Sequence, residues 1–339
     1  MRLIQRAVTL VTVAAAGLAP AATSLTVAAS ASSVRSTAQT VRHCTKVTAT
    51  IPVGSLPAGV AVDPGTKTIY VTNLRDNTVS VISGRTNKVT ATISVGSGPE
   101  GVAVNPATKT IYVTNTGDNT VSVISGRTNK VTATISVGSV PRGVAANRST
   151  KTTYVTNQLS NTVSVISGRT NKVNATIPVG LEPVADAVNP DTKTVYVANQ
   201  FSDTVSVISG RTNKVNATIP VATDPAGVAV NPNTRTIYVA YANGSSVSVI
   251  SGRTNKVTAT IPVGFEPLAV AVNRNTRVIY VANEFSNTVS VISGRTNEVN
   301  ATIPVGADPR AVAVNPDTKT AYVVNGSDNT VSVLSSCRR

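Results

Sequence analysis

The sequence predicts an all-β fold: a seven-bladed β-propeller with four antiparallel strands per blade, the N-terminal strand completing the last blade. Three observations predict it. The segment "SGRTNKV" recurs with its glycine at Gly84, Gly126, Gly168, Gly210 and Gly252, and as "SGRTNEV" at Gly294, always 42 residues apart. Each unit holds four short runs rich in Val and Thr, residues that suit pleated strands, and four strands at that period mark a propeller blade. The seventh unit ends after its third run, Val331–Leu334, while an unmatched fourth run, Lys46–Ile51, precedes the first unit.

The chain opens with a different pattern. Arg2 and Arg6 precede an apolar run, Ala7–Leu18, and Ala19-Pro20-Ala21 matches an A-x-A cleavage site. This reads as a signal peptide over residues 1–22, and the run is too short for an ordinary membrane span. No transmembrane segment is expected after cleavage, and a secreted or cell-surface location follows. Residues 23–43 are rich in Ser, Thr and Ala without the later period, and read as a flexible leader. The propeller is expected over residues 44–339.

Within a unit the order is constant. In the second, Gly101–Val104 is the first strand, Asn105–Thr108 a turn, and Lys109–Asn115 the second strand. Thr120–Ser125 is the third strand, Gly126–Asn129 a tight turn, and Lys130–Val137 the fourth. Asn-Pro and Ser-Gly are turn formers, and the alternation in "TVSVIS" fits antiparallel pairing. A separate bead of this length would bury too little to fold alone, and a linear solenoid would carry atypical end units. The end units resemble the others, which favours a closed ring.

Pairing the orphan strand with the last three would remove an open edge. Cys44 and Cys337, the only two cysteines, fall in adjacent repeat slots at this seam. In an exported chain they are expected to form a disulfide.

Strand two carries "YVTN" at Tyr70, Tyr112 and Tyr154, "YVAN" at Tyr196 and Tyr280, "YVAY" at Tyr238 and "YVVN" at Tyr322. With the "VSVI" strands, this resembles the YVTN-repeat β-propeller family over about residues 46–335. The resemblance implies a seven-bladed ring, a secreted or surface-layer-like setting and no shared catalytic motif; some relatives bind DNA. It makes the Tyr-x-x-Asn signature structural, with the ring packed between blades.

The formal net charge is +15, from 30 Lys and Arg against 15 Asp and Glu, which suits acidic partners without choosing among them. In a propeller the loops sort by face. One face receives Arg85, Arg127, Arg169, Arg211, Arg253 and Arg295, with Lys46, Lys88, Lys130, Lys172, Lys214 and Lys256 at the starts of fourth strands. The other receives Asp76, Glu100, Asp118, Glu182, Asp203, Asp224, Glu266, Glu284, Asp308 and Asp328. The basic residues are candidates for binding an anionic polymer, either nucleic acid or a cell-wall polymer; they are equally read as one harmless surface residue copied many times.

The acidic face also breaks the repeat. Leu159, Phe201 and Phe285 fill one loop slot, and Leu181 and Phe265 another. Together they form a candidate apolar patch for a protein or small ligand, unless each only lids its blade. Tyr241 replaces the usual Asn and is expected to join them. Asp186 stands where the other units have Val, so its carboxyl must be hydrogen-bonded, hydrated or protonated; it is a candidate ligand contact near the axis.

Chemistry finds little support. The single histidine, His43, precedes the repeats, and no His cluster or EF-type loop offers a metal site. No cofactor or metal is expected. A carboxylate-only lyase or hydrolase site using Asp186, Glu100 or Glu182 is the remaining enzymatic reading. The leading expectation is a monomeric extracellular binding or scaffold protein acting through its acidic, partly apolar face.

Overall fold

The computed structural model describes residues 45–336. The expected signal peptide, the leader and both cysteines lie outside the described residues. Those described form seven four-stranded antiparallel sheets. Blade 1 comprises β2 (Pro57–Asp63), β3 (Thr68–Asn73), β4 (Thr78–Ser83) and β5 (Lys88–Ser94). Blades 2 to 6 repeat this pattern as β6–β9 (99–136), β10–β13 (141–178), β14–β17 (183–220), β18–β21 (225–262) and β22–β25 (267–304). Blade 7 is built from β26 (Pro309–Asn315), β27 (Thr320–Asn325), β28 (Thr330–Ser336) and β1 (Thr45–Pro52), in the order β1-β28-β27-β26.

The first strands of the blades pack side by side, and β2 meets β26, so the ring is closed. The register at the seam runs from Thr45 opposite Ser336 to Pro52 opposite Thr330. The expected disulfide between Cys44 and Cys337 is not part of this closure. No disulfide occurs among the described residues, and the seam is held by the main-chain ladder between β1 and β28. Ile51, 2 % exposed, anchors that ladder in the core.

The core consists of layers between blades. Tyr70, Val79, Val81 and Ile93 of blade 1 pack on Ile111, Val113 and Ile124 of blade 2. Across the seam, Tyr322, Val331 and Val333 pack with Ile51 on Ile69, Val71 and Ile82. Each layer is thus shared by two units, which is why a single unit cannot hold itself together.

The copied polar residues have structural work. Asn73 is fully buried. Its Nδ2 donates to Thr78 Oγ1 and Ser80 Oγ, both at 2.9 Å, and its Oδ1 accepts from Gly54 N at 3.1 Å. A Cβ on Gly54 would lie 2.5 Å from Asn73 Cγ, so this Asn requires a glycine opposite. Blade 5 shows the rule by exception: Tyr241 takes the Asn slot and Ala222 the glycine slot. In "SGRTN", a Cβ on Gly84 would lie 2.7 Å from Lys67 O and 2.9 Å from the Tyr322 hydroxyl. The Asn that follows, as at Asn87 with φ 54°, sits in the left-handed region that Asn tolerates.

Candidate functional site

The loops group by face as connectivity demands. Gly84 N donates to Lys67 O, joining the strand 1–2 and 3–4 loops on one face. Leu74 N donates to Leu56 O, joining the strand 2–3 loops to the interblade loops on the other. Each face has a cavity at the mouth of the central channel.

The mouth beside the "SGRTN" loops encloses about 290 Å³ and is monotonous. Val lines it in six blades and Ala146 in the third; Pro follows two residues later in five blades, with Arg148 and Arg274 in the other two. Arg85, Arg127, Arg169, Arg211, Arg253 and Arg295 stand exposed around this face. None of the six forms an ion pair with a described residue.

The opposite mouth encloses about 360 Å³. Its wall is the residue after the blade-opening proline, and this slot differs from blade to blade. Glu100, Arg142 and Arg310 are its charged members, while Val184, Ala226 and Leu268 are apolar and consecutive; Ala58 completes the ring. Arg142 Nη1 contacts Glu100 Oε1 at 2.9 Å, and its Nε donates to Gln158 Oε1 at 2.7 Å. Gln158 Nε2 then donates to Glu182 Oε2 at 3.0 Å, extending the network to the next blade. Across the mouth, Arg310 Nε donates to Asp308 Oδ2 at 2.9 Å, and its Nη2 stands 3.8 Å from Glu284 Oε1.

Burial raises the Glu100 carboxyl above the usual carboxylate range, against the pull of Arg142 and Arg310. Burial, then the neighbouring Asp308 and Glu266 carboxyls, push Glu284 up to about 8. Glu284 therefore holds its proton at neutral pH. Sequence reasoning assigned Arg142 and Arg310 no role. The available signal was that the slot they share varies while its neighbours are copied.

Outside this rim, Phe201, Phe285 and Leu159 are 73 %, 69 % and 62 % exposed, with Phe265 and Leu181 also exposed. They form two groups. Phe265 and Phe285 stack with ring centroids 6.0 Å apart in blade 6. Phe201 N donates to Leu181 O, which places those two together on blade 4, with Leu159 in the corresponding loop of blade 3. Blade 5 separates the groups with Thr223, Asn243 and Gly244. Tyr241 does not join them: it is 2 % exposed and packs with Tyr196, Val205 and Val239. An aromatic ring in the buried Asn slot, with Ala222 in place of the facing glycine, fills the interior.

One hydrogen bond changes character with these residues. In blades 1, 2 and 7 an aspartate accepts from the interblade loop, as Asp76 Oδ2 does from Ser55 N at 2.7 Å. In blades 3, 4 and 6 the same bond is made by Ser160, Ser202 and Ser286. These three blades carry the exposed Leu and Phe.

Asp186 lies on β14 (Pro183–Asn189) with its carboxyl against Gly143 of blade 3, and it lines neither mouth cavity. Both carboxyl oxygens are buried without a hydrogen bond of good geometry, and the nearby backbone N–H groups of Ala145 and Asp186 offset only part of the burial. Burial raises its proton affinity well above that of an ordinary aspartate. Among the described residues, no three His, Cys, Asp or Glu side chains cluster to hold a metal ion.

Comparison with known proteins adds the fold's name and little else. The profile of YNCE-like beta-propellers matches residues 136–244, about a third of the chain. No curated protein sequence matches. Among solved structures, a chain of the hydrazine synthase of Kuenenia stuttgartiensis superposes with a TM-score of 0.76 at 22% identity, covering 82% of this chain and 95% of that one. At that identity the likeness is one of fold, and a fold shared so widely carries no activity with it.

Proposed function

We propose that this chain is an extracellular binding or scaffold propeller of the YVTN-repeat kind that recognises a partner through its acidic, partly apolar loop face. One observation carries the reading. Where large apolar side chains stand exposed, in blades 3, 4 and 6, the adjoining loop bond is made by Ser; in blades 1, 2 and 7 Asp makes the same bond, and blade 5 has Gly244 there. At this one position the carboxylate is absent and the loop bond is kept, while Glu182, Asp203, Glu266 and Glu284 supply the acidic character of the same loops. That combination suits a surface that loses water on docking, because desolvating a carboxylate costs far more than desolvating a hydroxyl.

The test replaces Phe201, Phe265 and Phe285 together with Ser. Chemical crosslinking in the native extracellular fraction should show a discrete complex with the unmodified chain and none with the variant, at equal melting temperature. A complex that persists in the variant refutes the reading.

A second reading uses the opposite face. Six exposed arginines without ion-pair partners among the described residues form a regular ring there, which suits repeated contact with an anionic polymer. Retention on heparin or DNA columns should fall steeply with salt; no retention at low salt removes this reading.

A further inference from the structure

We propose that the channel mouth on the loop face binds a small organic carboxylate with a short apolar tail. This goes beyond the partner surface described above and does not depend on it. The starting point is the contrast between the two mouths. In a ring of near-identical units, the wall slot at one end is Val in six blades out of seven, while at the other end it holds Ala, Glu, Arg, Val and Leu. Copying alone would leave both ends uniform.

The varied residues are also segregated. The charged arc runs over blades 7, 2 and 3 with Arg310, Glu100 and Arg142, interrupted only by Ala58. In the same slot, blades 4, 5 and 6 carry Val184, Ala226 and Leu268; Leu74, Gln200 and Glu284 also line the cavity, from just past the ends of the second strands of blades 1, 4 and 6. A cavity of about 360 Å³ with both arginines on one side and a short run of apolar side chains on the other fits an amphipathic small molecule, and its size falls within the usual range for such sites.

The head group follows from the donors left over. Arg142 engages Nε and Nη1, and no hydrogen bond among the described residues uses its Nη2. Arg310 engages only Nε, and its Nη2 lies beyond hydrogen-bonding distance of Glu284. Both arginine side chains are partly exposed, at 39% for Arg142 and 34% for Arg310. Spare guanidinium N–H groups at a rim suit the two oxygens of a carboxylate. Glu100, Asp308 and Glu182 stand close behind them and disfavour a more highly charged anion such as a phosphate. A free amine would meet the same guanidinium groups and be repelled.

The experiment titrates hexanoate into the full chain by isothermal calorimetry, with hexylamine and hexan-1-ol as probes that keep the tail and change the head. Hexanoate should bind saturably, more than tenfold tighter than either control and more than tenfold tighter than acetate. Replacing Arg142 and Arg310 together with Met should weaken hexanoate at least tenfold. Leu268→Asp, which leaves both arginines in place and puts a charge against the tail, should do the same, and decides the matter if the double variant fails to fold. The Phe201, Phe265 and Phe285 variant should bind hexanoate normally, which separates this site from partner capture. No binding of hexanoate, equal binding of the amine or alcohol, or unchanged affinity in a folded arginine or Leu268→Asp variant overturns the proposal.

Discussion

Replacing Asp186 with Val should stabilise the propeller, and the other blades show why. Val60, Val102, Val144, Val228, Val270 and Val312 occupy the same slot, and Val102, Val228 and Val312 are no more than 9 % exposed. The carboxyl of Asp186 is buried with neither oxygen in a hydrogen bond of good geometry, an arrangement that costs about 1–3 kcal/mol. Burying the Val methyls instead returns about 1–2 kcal/mol. Together these give roughly 3 kcal/mol at neutral pH, or a rise in melting temperature of about 6 °C for a domain of this size. The pH dependence makes the test sharper. Burial raises the folded-state pKa above the ordinary 3.8, so the folded protein holds a proton that the unfolded chain releases. Stability from this group is complete below about pH 3.8 and is lost as pH rises toward the folded value. The nearest interacting titratable group, Tyr154, is itself raised by burial and stays neutral across that range. Thermal unfolding followed by circular dichroism between about pH 4 and pH 9 should show the gain from Asp186→Val growing with pH. Asp186→Asn should remove the same slope with a smaller gain. A Val variant that melts below the parent, or keeps its pH slope, refutes the reasoning.

Two further changes test the copied architecture. Asn73→Ala deletes three hydrogen bonds at a fully buried position and should lower stability by about 2–4 kcal/mol, read as a shift in the urea midpoint. Val140 holds φ 52°, a left-handed geometry that a β-branched residue adopts at a cost of about 1–2 kcal/mol, and Gly98 fills the equivalent slot in blade 2 with φ 62°. Val140→Gly should therefore raise stability by about 0.5–1 kcal/mol after the added chain entropy of glycine is subtracted; a loss of stability would show that Val140 packing outweighs its strain.

The ring and its seam were legible because they follow from counting. A period of 42 residues and an orphan strand leave one arrangement with every edge paired. The disulfide was an inference from adjacency in repeat phase, and the β1–β28 ladder closes the ring independently of any such bond. Tyr241 was misplaced because its change was read alone. The Asn slot is buried in every blade, and the companion change from Gly to Ala222 marks this one as interior. The channel mouth was missed for a geometric reason. A register shift between Pro57 and Val60, with counterparts in the other blades, decides how the residue after proline is presented. The alternation of a regular strand does not predict that shift.

Variation in a repeat ring has two sources, relaxed constraint and specialisation, and they leave different traces. Relaxed constraint scatters residues without regard to chemistry or neighbours. At the loop bond between blades, a side chain satisfies the donor N–H in six blades, at 2.7 Å by Asp76 and 2.8 Å by Ser160, while blade 5 has Gly244 in that slot. What changes is the charge, and it is absent in the three blades that expose Leu159, Leu181, Phe201, Phe265 and Phe285. Holding the bond in six blades while varying the charge is the pattern on which the proposed docking surface over blades 3, 4 and 6 rests.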